Sequence, residues 1–218
     1  MNSMGLRAAA VAAVFTFSTP FMALAADDAT SPESPAMLVE QTTTQILAAI
    51  RQERETISVE PARIRQLVDK IVVPHMDFVR VARLALGKQW RRVSADQQAR
   101  FVDVFRTMLM RTYVSALTEF TDVSISYRPA RMSRDGRRAA VRADIRYGNE
   151  GIVLEYRLYH HDNVWKAYDI AVQGVSLVAS YRASFTSEIR RNGIDALIER
   201  LAAANREHSQ SAPVELAS

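Results

Sequence analysis

The stretch Val141-Arg142-Ala143-Asp144-Ile145-Arg146-Tyr147-Gly148-Asn149-Glu150-Gly151-Ile152-Val153-Leu154-Glu155-Tyr156-Arg157-Leu158 decides the fold. Val141, Ala143, Ile145 and Tyr147 alternate with Arg142, Asp144 and Arg146. After a turn at Gly148 to Gly151, Ile152, Leu154, Tyr156 and Leu158 run against Glu155 and Arg157. A period of two sends successive side chains to opposite faces, so this text predicts strands with one apolar and one charged face. Upstream, Val123, Ile125 and Tyr127 alternate with Ser124, Ser126 and Arg128, and Asp135-Gly136 marks the turn between. Downstream, His161-Asp162-Asn163 turns into a last run, Trp165 to Val172. Three close turns joining four strands predict an antiparallel meander. Which face the last strand buries stays open, because both of its residue sets are mixed.

On either side of the strands the period changes to that of a helix. Leu38, Ile46, Leu47 and Ile50 predict a helix from Met37 to about Glu55. Glu60-Pro61 opens a second with Ile64, Leu67, Val68 and Ile71. Pro74 breaks it, Asp77 can cap a third carrying Phe78, Val81, Ala82 and Ala85, and Gly87 closes that one. Ser94-Ala95-Asp96-Gln97 reads as a capping box opening the longest helix. Its stripe is wide: Phe101, Val104, Phe105, Met108, Leu109, Thr112, Tyr113, Ala116 and Phe120. Two more helices follow the strands, one with Leu177, Val178, Tyr181, Phe185 and Ile189, the other with Ile194, Leu197, Ile198 and Leu201; Asn192-Gly193 separates them. The fold class predicted is α+β: a four-stranded antiparallel meander covered on one face by about six helices.

The chain has 218 residues. Arg7 supplies a short positive start, Ala8 to Leu24 is apolar but broken by Pro20, and Ala23-Leu24-Ala25 is a small-x-small cleavage pattern. Residues 1–25 therefore read as a secretory signal that is cleaved, too short and interrupted to anchor in a membrane. Residues 26–36, acidic and Ser/Pro-rich, read as a disordered linker. Residues 37–206 form a single domain and 207–218 a flexible tail. There is no cysteine, so an exported product has neither a disulfide framework nor a lipoprotein anchor, and packing alone must stabilise it. The expected location is the periplasm.

Lysine and arginine total 28 against 24 acidic residues. Only Lys70, Lys88 and Lys166 are lysine, a skew that genomic base composition explains. One local excess stands out: Arg128, Arg131, Arg134, Arg137, Arg138, Arg142 and Arg146 against Asp135 and Asp144. Such a hairpin is either simply solvated or meets anionic headgroups or an acidic partner. Nucleic acid is not an expected partner, because few aromatic side chains interleave with these arginines for base stacking.

Catalytic text is absent. His75, His160, His161 and His208 are scattered without metal-ligand spacing. Ser176 lacks a nucleophile elbow and is better read as a cap on the helix that follows. Asp169 can pair with an arginine, but no second carboxylate stands at a spacing suited to acid–base work. The corner Gln173-Gly174-Val175-Ser176 offers apolar surface where the sheet hands over to a helix, with Gly174 permitting the turn.

Several stretches together resemble the MlaC family, the periplasmic phospholipid-binding component of an intermembrane lipid transport system, also known as the toluene-tolerance auxiliary component of an ABC transporter. They are Val73-Pro74-His75-Met76-Asp77-Phe78; Ala82-Arg83 through Leu86-Gly87 and Trp90; Phe101 and Phe105; Trp165-Lys166-Ala167-Tyr168-Asp169; Gly174-Val175-Ser176; Tyr181-Arg182; and Gly193-Ile194-Asp195-Ala196-Leu197. Their order fits from about Met37 to Leu201. The resemblance implies a non-enzymatic carrier with phospholipid as cargo and no cofactor. It implies shuttling between an inner-membrane ABC transporter complex with its periplasmic lipid-binding subunit and an outer-membrane lipoprotein–porin complex, which maintains outer-membrane lipid asymmetry. It also implies an elongated apolar cavity between helices and sheet. Exposing two long acyl chains to water costs above roughly 20 kcal/mol at about 0.8 kcal/mol per methylene, so such a cavity should be large, on the order of 1,000 Å³.

The expected lining is Phe78, Val81, Trp90, Phe101, Phe105, Leu109 and Tyr113 from the helices. Ile145, Leu154, Tyr156, Val175, Leu177 and Tyr181 are expected from the sheet and its exit, with Val175 favoured as a cargo contact. Two other readings compete: a periplasmic interaction module docking a protein through an apolar groove, and a hydrolase acting on a hydrophobic substrate.

Overall fold

The computed structural model describes residues 34–114, 117, 122–148 and 150–210. The expected signal segment, most of the expected linker, Ala116 and Phe120 of the long-helix stripe, and residues 211–218 of the expected tail lie outside the described residues. Six α-helices occur among the described residues: α1 (Pro35–Gln52), α2 (Arg54–Val59), α3 (Ala62–Ile71), α4 (Phe78–Leu86), α5 (Ala95–Val114) and α6 (Arg182–Gln210). The first begins at Pro35, two positions before the Met37 expected, with proline in the first turn where its missing N–H goes unused. Its expected extension to Glu55 bends at Glu53, so α2 is a separate short helix. Gly193 interrupts α6 with φ 83° and ψ 169°. Residues 182–192 and 194–210 are thus two helical segments, as Asn192-Gly193 predicted, and the second runs past Arg206.

Local signals account for the helix starts. The Asp77 carboxylate accepts from the Arg80 amide at 2.9 Å and caps α4. Ser94 and Gln97 form a reciprocal capping box: the Gln97 amide donates to Ser94 Oγ at 3.2 Å and the Ser94 amide to Gln97 Oε1 at 3.1 Å.

The sheet has six strands, not four. They are β1 (Ser124–Tyr127), β2 (Arg131–Met132), β3 (Arg138–Tyr147), β4 (Glu150–His161), β5 (Val164–Val172) and β6 (Val175–Ser176). The order is β1-β3-β4-β5-β6, with β2 also on β3 and every pairing antiparallel. The two extra strands are two residues each. Pro129, which cannot donate to a ladder, separates β1 from β2 along the same edge of β3. At the other edge, Gln173 (φ 50°) and Gly174 (φ 83°) make a two-residue turn with both residues left-handed. That is the geometry of a type I′ hairpin, and it folds Val175 back onto Val172.

The ambiguity of the last strand has a structural cause. Leu158 pairs with Ala167 but Arg157 pairs with Asp169, a register shift that leaves Tyr168 extra. Core-facing phase therefore changes within the strand. Trp165 and Ala167 join the core formed with Leu38 and Val39 of α1, Val141 and Leu158, while Tyr168 packs toward α4, α5 and α6.

Three of the seven hairpin arginines are paired with carboxylates of their own sheet. Arg128 and Arg142 both reach Asp144 at 2.9 Å, and Arg131 and Arg157 reach Glu155 at 2.6 and 3.3 Å. The guanidiniums of Arg142 and Arg128 hold the Asp144 carboxyl below its ordinary range. Strand geometry accounts for the pairs on Asp144: Arg142 lies two residues away on the same face of β3, and Asp144 lies opposite Ser126, next to Arg128.

Candidate functional site: an apolar pocket between helices and sheet

Three apolar clusters hold the helices. The largest joins α4, α5 and α6 through Phe101, Phe105, Phe185, Trp90 and Leu197. A second joins α1 to the sheet, and a third joins α1, α2, α3 and the end of α5 through Ile50, Ile57, Leu67 and Val114. Where the three meet, side chains fail to close on one another and leave a pocket of about 260 Å³.

Six parts of the chain form its wall. From α1 come Leu38, Val39, Thr42, Thr43 and Ile46. From α3 and the turn after it come Val68, Val72, Val73, His75 and Met76. Phe78 and Val81 of α4 face Leu109, Met110, Tyr113 and Val114 of α5. Tyr156, Leu158, Ala167, Asp169 and Ile170 of the sheet and Leu177 and Val178 of the corner complete it. Nearly all of this surface is hydrocarbon, so water inside gains few hydrogen bonds and an apolar ligand replaces it favourably.

Of the expected lining residues, the pocket holds Phe78, Val81, Leu109, Tyr113, Tyr156 and Leu177. Trp90, Phe101 and Phe105 do not line it. The rings of Phe101 and Phe105 stack at 5.3 Å and meet Phe185 edge-on at 5.7 and 5.4 Å, filling the space that the sequence reading left for a ligand. This packing is why the open volume is far below the 1,000 Å³ expected. Ile145 and Leu154 are half-buried on the sheet outside the pocket. Val175, the favoured contact, is 63% exposed because the hairpin turn carries it to the surface rather than inward. Tyr181 stands just behind the wall, with its hydroxyl 3.1 Å from that of Tyr113.

The sequence reading missed the α1 wall. Leu38, Thr42 and Ile46 recur at a spacing of four, and Val39 and Thr43 follow the same step. The signal was present, but the two threonines interrupted the apolar stripe and hid it. Thr43 satisfies its own hydroxyl by donating to the Val39 carbonyl at 2.8 Å, which lets it face apolar surroundings.

The polar groups of the wall are few and mostly spoken for. Asp169 is fully buried. Arg157 donates to its carboxylate at 2.9 Å and Ser176 Oγ at 2.8 Å, and Ser176 Oγ in turn accepts from the Ala179 amide at 2.9 Å. Ser176 therefore does cap the turn that follows, and Asp169 ties that corner to β5. Burial pushes the Tyr156 phenol up to about 12. Burial, and then the bond to Tyr181, push the Tyr113 phenol well above its ordinary value. Both tyrosines are neutral hydrogen-bonding groups at any physiological pH. Among the described residues no three His, Asp or Glu side chains converge to hold a metal ion, and no helix is long and apolar enough to cross a membrane.

An α+β protein with an apolar, half-enclosed pocket between helices and sheet is, by architecture, suited to holding hydrocarbon. The chain belongs to the MlaC protein family, whose model matches residues 40–203. It is 28% identical over 166 residues to the toluene tolerance protein ttg2D of Pseudomonas putida, covering 75% of this chain and 76% of that protein. It is 23% identical over 173 residues to the intermembrane phospholipid transport system binding protein MlaC of Haemophilus influenzae, covering 77% and 80%. Among solved structures it resembles the phospholipid-binding protein of Ralstonia solanacearum in complex with a phospholipid. That match has a TM-score of 0.73 at 30% identity and covers 80% of this chain and 98% of the other.

Proposed function

We propose that this chain is a periplasmic phospholipid carrier: it takes a lipid out of one membrane-bound complex, shields its acyl chains in the pocket, and delivers it to another without chemical change. The observation that carries this reading is the pocket wall, which presents hydrocarbon from several separate parts of the fold and whose buried carboxylate, Asp169, is held by Arg157 and by the capping Ser176. The kinship with a phospholipid-binding structure and with a transport-system binding protein supports it.

On this reading residues 1–25 direct export and are removed, and no cofactor is needed. The partners are an inner-membrane ABC transporter complex, whose lipid-binding subunit receives or supplies the lipid, and an outer-membrane lipoprotein–porin complex. Transfer between them maintains outer-membrane lipid asymmetry, with ATP hydrolysed by the transporter and not by this chain. The open volume lies just below the roughly 300–1,000 Å³ typical of small-molecule sites. Two full acyl chains therefore require the α1–α3 wall and the sheet to part.

The test is organic extraction of the protein purified from its native compartment, followed by mass spectrometry. We expect phospholipid in near-stoichiometric amount, and transfer of labelled phospholipid from donor to acceptor vesicles when the protein is added. A protein that yields no phospholipid and takes none up from vesicles would refute the carrier reading.

A further inference from the structure

The pocket wall contains one polar feature that packing does not explain. Tyr113, on the pocket side of α5, and Tyr181, in the turn preceding α6, place their hydroxyl oxygens 3.1 Å apart. The Tyr181 ring stacks on Phe185 at 5.5 Å and meets Phe105 edge-on at 5.6 Å, contacts that a phenylalanine ring would make equally well. Two phenols bring two hydrogens, but their mutual bond uses only one. Among the described residues nothing accepts the second, which is left for water or a ligand. Replacing both partners by apolar groups of the same shape would be nearly neutral for the fold.

We infer that the Tyr113–Tyr181 hydroxyl pair is a donor seat for an ester carbonyl oxygen of the bound lipid. The inference rests on the carrier reading above and assigns a place within that site. Ester carbonyls are the first acceptors met on passing from the acyl chains toward the phosphate. Tyr113 lines the pocket and both tyrosines are half-buried, so a carbonyl of a lipid held there can reach the hydroxyl pair. Burial keeps the Tyr113 phenol protonated, so the donor persists across the physiological pH range. The seat orients the glycerol backbone without reading the headgroup, which leaves headgroup choice broad while favouring ester-linked over ether-linked lipids.

The experiment uses the mature protein stripped of lipid and offered vesicles of dipalmitoyl phosphatidylethanolamine or of its dihexadecyl ether analogue, which lacks both carbonyls. Wild type is expected to retain the diester about five- to tenfold better than the diether, the effect of one neutral hydrogen bond. The double variant Tyr113→Phe/Tyr181→Phe is expected to melt near the wild-type temperature and to lose the preference for the diester. Equal retention of both lipids by wild type would overturn the inference, as would a preference surviving in the double variant. So would an equal loss of both lipids in that variant, which would place the contact at the phosphate or reveal a reshaped pocket. Wild type that retains neither lipid would remove the carrier reading itself.

Discussion

The two halves of α5 carry one continuous stripe of large apolar side chains, yet they do different work. Toward its start, Phe101 and Phe105 are buried to within 1% of complete and interlock with Phe185 of α6. Toward its end, Leu109 and Tyr113 face α1 and the sheet across open space. The residues alone do not distinguish the halves; the neighbours do. The first half meets another helix whose aromatic side chains interdigitate with it, and the second meets a sheet and a helix too far apart to close. A binding pocket here is a place where packing is left unfinished beside a place where it is complete.

That comparison can be broken most directly at Phe105. Phe105→Ala should destabilise the fold by about 3–5 kcal/mol, read as a lower denaturation midpoint, because the surrounding rings cannot collapse into the gap. Asp169→Ala comes next. It strips the buried partner from Arg157, Ser176 and the corner, and should cost about 2–3 kcal/mol, less than a fully buried pair because Arg157 is partly solvated. Asp169→Asn should recover part of the loss by keeping the Ser176 bond. Leu109→Ala should cost no more than about 2 kcal/mol in the same denaturation experiment, since its outer side already faces a void. If it matched Phe105→Ala, the distinction between a packed and an open half would be wrong.

Smaller effects test the surroundings. Glu188 accepts from Arg200 at 2.7 Å, and that hydrogen bond holds its carboxyl below the ordinary value of 4.5. A depressed carboxyl adds stability above its unfolded-state pKa and loses it as pH falls through the folded-state value. Glu188→Gln should therefore cost under about 1 kcal/mol at neutral pH, and the difference from wild type should shrink as pH falls below the ordinary carboxylate value and vanish once pH passes the lowered folded-state value. Smallest of all, Val175→Glu should change stability by within about 0.5 kcal/mol and leave lipid retention unaltered. Emptying of the pocket by that substitution would show that the exposed hairpin reaches cargo after all.

Much of the fold is legible in the sequence. Period-two alternation from Ser124 to Leu158 located the main strands, and the caps at Asp77 and Ser94 located two helix starts. What escaped was short or phase-shifted. The strands β2 and β6 are too brief to show a period, and the extra residue at Tyr168 scrambles the alternation from which a buried face is read. Six of the thirteen expected lining residues border the pocket, since apolar periodicity marks inward-facing residues. The other seven pack or lie elsewhere, since periodicity says nothing about what stands opposite. The α1 wall, with Thr42 and Thr43, was passed over because a self-satisfied threonine looks polar in the sequence but not in the fold.

Local patterning and motif order carry the α+β class, the antiparallel meander, the helix boundaries near their caps and the family. Only the tertiary structure decided which aromatic residues fill space and which border it. It also decided that Arg128 and Arg131 pair with carboxylates of other strands, that Val175 is exposed, and that two tyrosines distant in sequence share one hydrogen bond. Burial and electrostatic pairing depend on distances between segments, and no run of neighbouring residues encodes those distances.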